Sequence, residues 1–264
     1  YEPEEWMNEI RVAKKYASNH NCVLIGSISG TSIDIWEKLA MITESADVDM
    51  IEVNFGCPHP RETERKQGAE LGRDIETVSE VTRAVTKAVH IPVFAKLTPE
   101  AVDVVNVARA VVKAGASGVT IINRYPALDI DINTGRPLLH GTFAGVGGPW
   151  MRPITLKWIA KVAQAIDAPI SATNGIWTYK DIVKCIMCGA STVQTCTALM
   201  YSRKGYAQLK DLIEGLSSFM DEKGYTSITD FKGITLPQIT SWVKVDRESR
   251  IFSIVDEGKC TGCK

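Results

Sequence analysis

Residues 51–60 read Ile-Glu-Val-Asn-Phe-Gly-Cys-Pro-His-Pro. Met50, Ile51 and Val53 form an apolar run that predicts a strand ending at Asn54, and Gly56, Cys57, Pro58, His59 and Pro60 open a loop behind it. Parallel strands in α/β proteins deliver functional groups from their carboxyl ends, onto loops held by a rigid scaffold. A thiol between a glycine and a proline, with an imidazole two residues on, has the parts of a proton-transfer site. A single thiol at a strand end is more often a packed, inert one. The rest of the chain decides between the two.

Outward from this stretch, strands and helices alternate. Helical periodicity covers residues 2–18 (Trp6, Ile10, Val12, Ala13, Tyr16), and residues 22–28 read as a continuous apolar strand. Helices are expected over 31–43, 75–89, 101–114, 154–165, 179–187 and 205–219. Strands are expected over 50–54, 92–96, 118–123, 168–172 and 192–195, with a long excursion at 124–148. Near-continuous apolar strands joined by helical crossovers mean a parallel sheet covered on both faces. No G-x-G-x-x-G follows a first strand, which counts against an open dinucleotide-binding sheet. Six strand–helix units behind a leading helix fit a (β/α)8 TIM barrel whose first two strands lie upstream of Tyr1.

The 264 residues are 45% apolar and 23% charged, ordinary values for a globular chain with a full core. A formal net charge of −1 with no basic stripe gives nucleic-acid binding no electrostatic footprint. No run of eighteen apolar residues is present, which excludes a membrane-spanning helix. The start at Tyr1, without Met, is that of a fragment. Seven cysteines, an odd number at irregular spacing, argue against a disulfide framework and for a reducing, cytoplasmic setting. Cys185 and Cys188 have no second ligand pair nearby and read as packed thiols.

With two strands upstream, the strands at 168–172 and 192–195 become the seventh and eighth of the barrel, whose following loops commonly bind phosphate. These loops carry Thr173, Asn174 and Gly175, and Thr195, Cys196 and Thr197. Gly175 permits close backbone approach to an anion, the threonine hydroxyls can donate, and Gly147 and Gly148 offer amides just before a helix.

The runs Asn54-Phe-Gly-Cys57-Pro-His59, Ala95-Lys96-Leu-Thr-Pro99, Thr173-Asn-Gly175-Ile and Val193-Gln-Thr195 resemble the flavin-binding barrels of dihydroorotate and dihydropyrimidine dehydrogenases. His59 and the Lys96–Pro99 run look closer to the dihydropyrimidine enzymes. The resemblance implies FMN across the barrel mouth, with its phosphate at the loops just described. It also implies Cys57 as the acid/base serving one ring carbon of a pyrimidine or related cyclic amide, while the flavin exchanges a hydride at the next. A thiol, ionising at about 8.5 in water, suits that exchange near neutrality. By the same resemblance Lys96 sits near the flavin and favours its anionic reduced form. Asn54, His59 and Asn123 meet the substrate, a side-chain amide offering the donor and acceptor that a pyrimidine edge needs, and Arg124, next to Asn123, is a further candidate for substrate contact. The charged, Pro- and Gly-punctuated loop from Phe55 to Arg73 contains Cys57 and so reads as a lid over the substrate, in preference to a merely solvated loop.

Three residues depart from the family pattern: Gly56 where Ser is usual, Arg124 where Thr or Ser is usual, and Asn174 where Gly is frequent. A guanidinium in a pocket needs an anion, so either Asp129 or Asp131 neutralises Arg124 or the substrate is negatively charged. The tail, with Cys260 and Cys263 in a C-x-x-C, resembles the opening of a ferredoxin motif and supplies only part of the ligands of an iron–sulfur cluster. The expected division is a barrel over 1–222 and a connector with the start of an iron–sulfur segment over 223–264, anchored by Phe231, Trp242 and Phe252. Further implied partners are an NAD(P)H-linked electron-transfer subunit or a second copy of the chain. The rival readings are a soluble, Cys-using dihydroorotate dehydrogenase and a non-catalytic flavin relay.

Overall fold

The structure is a computed structural model, and it describes residues 3–58, 68–139, 142–248 and 258. A leading helix α1 (Pro3–Asn19) precedes β1 (Ile25–Ile28), α2 (Ile33–Ser45), β2 (Met50–Asn54), α3 (Ile75–Ala88), β3 (Val93–Lys96), α4 (Val104–Lys113) and β4 (Gly118–Ile121). An excursion follows, in which β5 (Tyr125–Ala127) pairs antiparallel with β8 (Ala144–Val146), and β6 (Ile130–Asp131) with β7 (Arg136–Pro137). The main alternation resumes with α5 (Arg152–Ala163), β9 (Ile170–Ala172), α6 (Tyr179–Met187), β10 (Thr192–Val193), a short α7 (Thr197–Tyr201) and α8 (Gln208–Lys223).

The six main strands are all parallel, in the order β1-β2-β3-β4-β9-β10, so each lies beside its predecessor in the alternation. β4 and β9 are buried at every position, as strands covered on both faces must be. The sheet is strongly curled. β2 and β10 are four strands apart, about 19 Å if flat at about 4.8 Å per step. Yet Gln194, just past β10, donates to Glu52 of β2 at 2.9 Å. This is the (β/α)8 barrel class, with six staves among the described residues.

The period of two along β2 places Ile51 and Val53 in the apolar core and turns Glu52 and Asn54 to the opposite face. Local chemistry fixes the helices. Asp74 accepts from the Glu76 and Thr77 amides at the head of α3, and Asp103 from those of Val105 and Asn106 at the head of α4. Thr178 and Asp181 form a capping box on α6, and Gly224 ends α8 in the left-handed region.

The structure departs from the sequence expectations at several places. The first strand begins at Ile25 rather than 22, and the last stops at Val193. α7 falls where no helix was expected, because five residues are too few to show periodicity. After α8, Phe231 is fully buried against Phe219 and Tyr225, with ring centroids 5.8 and 5.0 Å away, and it packs on Val183 and Ile186 of α6. Trp242 is no anchor: it is 72% exposed, with the Arg247 guanidinium 4.1 Å from its ring. Phe252, Cys260 and Cys263 lie outside the described residues.

Candidate active site

A cavity of about 540 Å³ opens at the carboxyl ends of the strands. Asn54, Cys57, Lys96, Asn123, Arg124, Gly147, Gly148, Thr173, Asn174, Gly175, Thr195, Cys196 and Thr197 all line it, so every expected site residue that the structure describes reaches one place. His59 and most of the charged loop lie outside the described residues.

The two asparagines are built into each other. Asn54 Oδ1 accepts from the Gly56 amide at 3.1 Å and from Asn123 Nδ2 at 3.1 Å, and Asn123 Oδ1 accepts from the Arg124 amide at 2.8 Å. That leaves the Asn54 amide nitrogen and one Asn123 N–H as donors. Cys57 is a half-buried free thiol. Its carbonyl accepts from the Ala69 amide at 2.9 Å, and Gly68, at φ +55°, returns so close that a Cβ there would lie 2.4 Å from that carbonyl oxygen.

Lys96 is paired. Its ammonium lies 3.2 Å from Glu52 Oε1 and donates to Gln194 Oε1 at 3.4 Å. Glu52 Oε2 accepts from Thr120 Oγ1 at 2.8 Å and from Gln194 Nε2 at 2.9 Å, and that same nitrogen lies 3.2 Å from Ser171 Oγ. Sequence reasoning missed Glu52 and gave Gln194 no role. The available signal was a lone acid inside an apolar strand, two residues before Asn54 and so on its face.

At the other end, Asn174 at φ +76° and Gly175 at φ +87° form a left-handed turn after β9, a conformation asparagine tolerates better than other side chains. A Cβ at Gly175 would lie 2.5 Å from the Arg152 amide nitrogen. Thr195 differs from expectation: its hydroxyl lies 3.3 Å from the Ile176 carbonyl and donates there, so its proton is not aimed at the cavity. The turn is braced from behind by Arg152 and Asp181, 2.7 Å apart. Burial pushes the Asp181 carboxyl up, but the Thr178 and Trp177 amides, the Thr178 hydroxyl and Arg152 outweigh it and hold it below the ordinary carboxylate range. Away from the cavity, burial pushes the Cys185 thiol up to about 12, which keeps it protonated.

Arg124 is exposed and lies along a strip of glycines. A Cβ at Gly145 would come within 3.1 Å of its Cζ and Nε, and one at Gly147 within 3.4 Å of its Cγ and Cδ. Its Nη1 donates to the Gly145 carbonyl at 3.4 Å, and no carboxylate pairs with it among the described residues. Asp129 and Asp131 accept instead from the Ile130 and Asn133 amides.

A parallel barrel with one polar cleft at its strand carboxyl ends defines the class: a (β/α)8-type barrel built around a small-molecule site. The family model for dihydroorotate dehydrogenase matches residues 4–220, and the chain belongs to that family, whose members bind FMN. It is 33% identical over 249 residues to the NAD-dependent dihydropyrimidine dehydrogenase subunit PreA of Escherichia coli, covering 91% of this chain but 60% of that protein. To the catalytic subunit of dihydroorotate dehydrogenase B (NAD(+)) from Pyrococcus abyssi it is 35% identical over 216 residues, covering 81% and 69%. The crystal structure of a dihydroorotate dehydrogenase from Eimeria tenella superposes with a TM-score of 0.71 at 16% identity, over 88% of this chain and 67% of that one, which shows the shared fold. No helix among the described residues is long and apolar enough to cross a membrane.

Proposed function

We propose that the chain is the FMN-binding catalytic portion of an oxidoreductase acting on the C5–C6 bond of a pyrimidine or related cyclic amide. The observation that carries this reading is convergence: a thiol, two amides and a lysine share one cavity with two glycine-bearing loops. The cavity fits FMN. Its volume lies in the range of small-molecule sites, and Gly147, Gly148 and Gly175 line it with backbone alone. Lys96, Gly147, Gly148, Thr173, Asn174, Gly175, Cys196 and Thr197 would hold it, with Thr195 contributing backbone only. Bound there, FMN supplies the two-electron acceptor or donor for one ring carbon. Cys57 moves a proton between its Sγ and the neighbouring ring carbon, while the free N–H groups of Asn54 and Asn123, with His59, orient the ring amides. Pro58, next to the thiol, lines the same cavity.

Residues 1–222 are the barrel of this reading and 223–264 a connector leading, through Cys260 and Cys263, toward an iron–sulfur segment. The chain spans 60% of the E. coli relative, which is a subunit of an NAD-dependent enzyme. That supports an NAD(P)H-linked electron-transfer partner, and the reading also allows a homodimer. The free thiols Cys22, Cys57, Cys185, Cys188 and Cys196 suit a reducing cytoplasm.

A second reading, dihydroorotate dehydrogenase, is favoured by Arg124, whose guanidinium meets no carboxylate among the described residues and suits a substrate carboxylate.

An anaerobic titration of the full-length protein tests both. Dihydrouracil or dihydrothymine should bleach the flavin band near about 450 nm. Bleaching by dihydroorotate alone would promote the second reading, and a protein without flavin would sink both. Cys57→Ala should keep the flavin and lower turnover about 100- to 10,000-fold. Unchanged turnover would make the chain an electron relay.

A further inference from the structure

Glu52 is 6% exposed and uses both carboxylate oxygens on groups at the floor of the cavity: Lys96 on one, Thr120 and Gln194 on the other. In the β2–β3 register Lys96 stands opposite Asn54, not Glu52. Its ammonium therefore turns back diagonally along the sheet to reach the carboxylate. Gln194 is fixed by the same group. Its Nε2 is claimed by Glu52 and Ser171, which turns its Oε1 to Lys96.

A buried ion pair is a poor device for stability alone, because desolvating two charges offsets most of their attraction. An apolar pair would fill the same space in a barrel interior. We propose that Glu52 is a positioning residue: it fixes Lys96 and Gln194 against the cofactor cavity and sets how much positive charge that cavity presents to an anionic ring. The proposal rests on the FMN reading above. With Glu52 in place the Lys96–Glu52 pair is neutral as a whole. With glutamine at 52 the cavity carries an uncompensated cation of nearly the same shape, and an anionic ring beside it is stabilised.

The test uses the full-length flavoprotein in four forms: unaltered, Glu52→Gln, Lys96→Gln, and the two substitutions together. Flavin content is measured first, then the flavin midpoint potential, then the dissociation constant of sulfite, which adds to oxidised flavin to give an anionic adduct. Glu52→Gln should raise the potential and tighten sulfite about tenfold. Both effects should vanish when Lys96 is also glutamine, because they act through that ammonium. Glu52→Asp should restore values near those of the unaltered protein. An unchanged potential and sulfite constant, a shift in the opposite direction, or a shift that persists without Lys96 would overturn the proposal.

Should Glu52→Gln lose its flavin, Thr120→Val carries the test. It removes one hydrogen bond from the carboxylate, leaves more of its charge to Lys96, and should weaken sulfite about threefold; no change, or tightening, would overturn the proposal. An unaltered protein that holds no flavin would overturn this proposal and the FMN reading together. A flavoprotein whose substitutions do not move the flavin would overturn this one alone.

Discussion

Gly56 and Asn123 are in contact across the mouth of the barrel, and a Cβ on residue 56 would lie 2.7 Å from the Asn123 Cβ and 3.0 Å from the Leu97 carbonyl oxygen. The glycine just before Cys57 is therefore what lets Asn54 at the end of β2 meet Asn123, two residues past β4. Gly56→Ser, which restores the residue usual in the resembled family, should push Asn123 away from Asn54. Overpacking of this kind costs about 1–3 kcal/mol. The expected outcome is a lower urea midpoint and a raised KM with kcat changed little, since Cys57 stays in place. A variant as stable and as tight-binding as the parent would show that Asn123 does not depend on that space.

Arg124 separates the two substrate readings. Its guanidinium runs along the Gly145–Gly147 backbone, makes one long bond to the Gly145 carbonyl and meets no carboxylate among the described residues. If it reads a substrate anion, Arg124→Thr should lower kcat/KM for dihydroorotate about 100-fold, the loss of a charge-assisted bidentate contact. The value for dihydrouracil should stay within about threefold. Steady-state kinetics on the two substrates decide it, and equal losses on both would assign Arg124 a structural role.

Much of this site was legible because barrel strands advertise their ends. The mostly apolar stretches that precede Asn54, Lys96 and Asn123 are largely buried, so these polar residues at or just past the strand ends mark the carboxyl edge. The partners of Glu52 were not legible: its face could be read from the strand period, but one acid in an apolar run carries no local sign of what it meets, and Gln194 is 142 positions away. The Thr195 hydroxyl illustrates a different limit. Its residue type suited a phosphate, but its direction is set by the turn at Ile176, which only the fold reveals. That neither Asp129 nor Asp131 pairs with Arg124 was left open for the same reason, because both are drawn into turns with their own neighbours.

Asp181 gives the fold an acid-sensitive brace. Its folded pKa is lowered, so its contribution is complete above the unfolded value of about 3.9 and is lost as pH falls through the folded value. Asp181→Asn should cost about 2 kcal/mol at pH 7, by loss of the Arg152 pair and of the α6 cap. The gap from the parent should close in denaturation curves taken progressively below about pH 4. A gap independent of pH would mean that the carboxylate charge does not matter and only its shape does.

Phe231 and Trp242 test where the barrel's cooperative unit ends. Phe231 is fully buried among Phe219, Tyr225, Val183 and Ile186, whereas Trp242 is mostly exposed under Arg247. Phe231→Ala should therefore cost about 3–5 kcal/mol, as a large core truncation does. Trp242→Ala should stay within about 0.5 kcal/mol, the range of surface substitutions. Denaturation followed by flavin release and by far-UV signal should show one transition in the parent and a single, lower one in Phe231→Ala. A Phe231→Ala protein that keeps its midpoint would mean that the cooperative unit stops with the barrel at α8 and that the following segment is docked rather than folded with it.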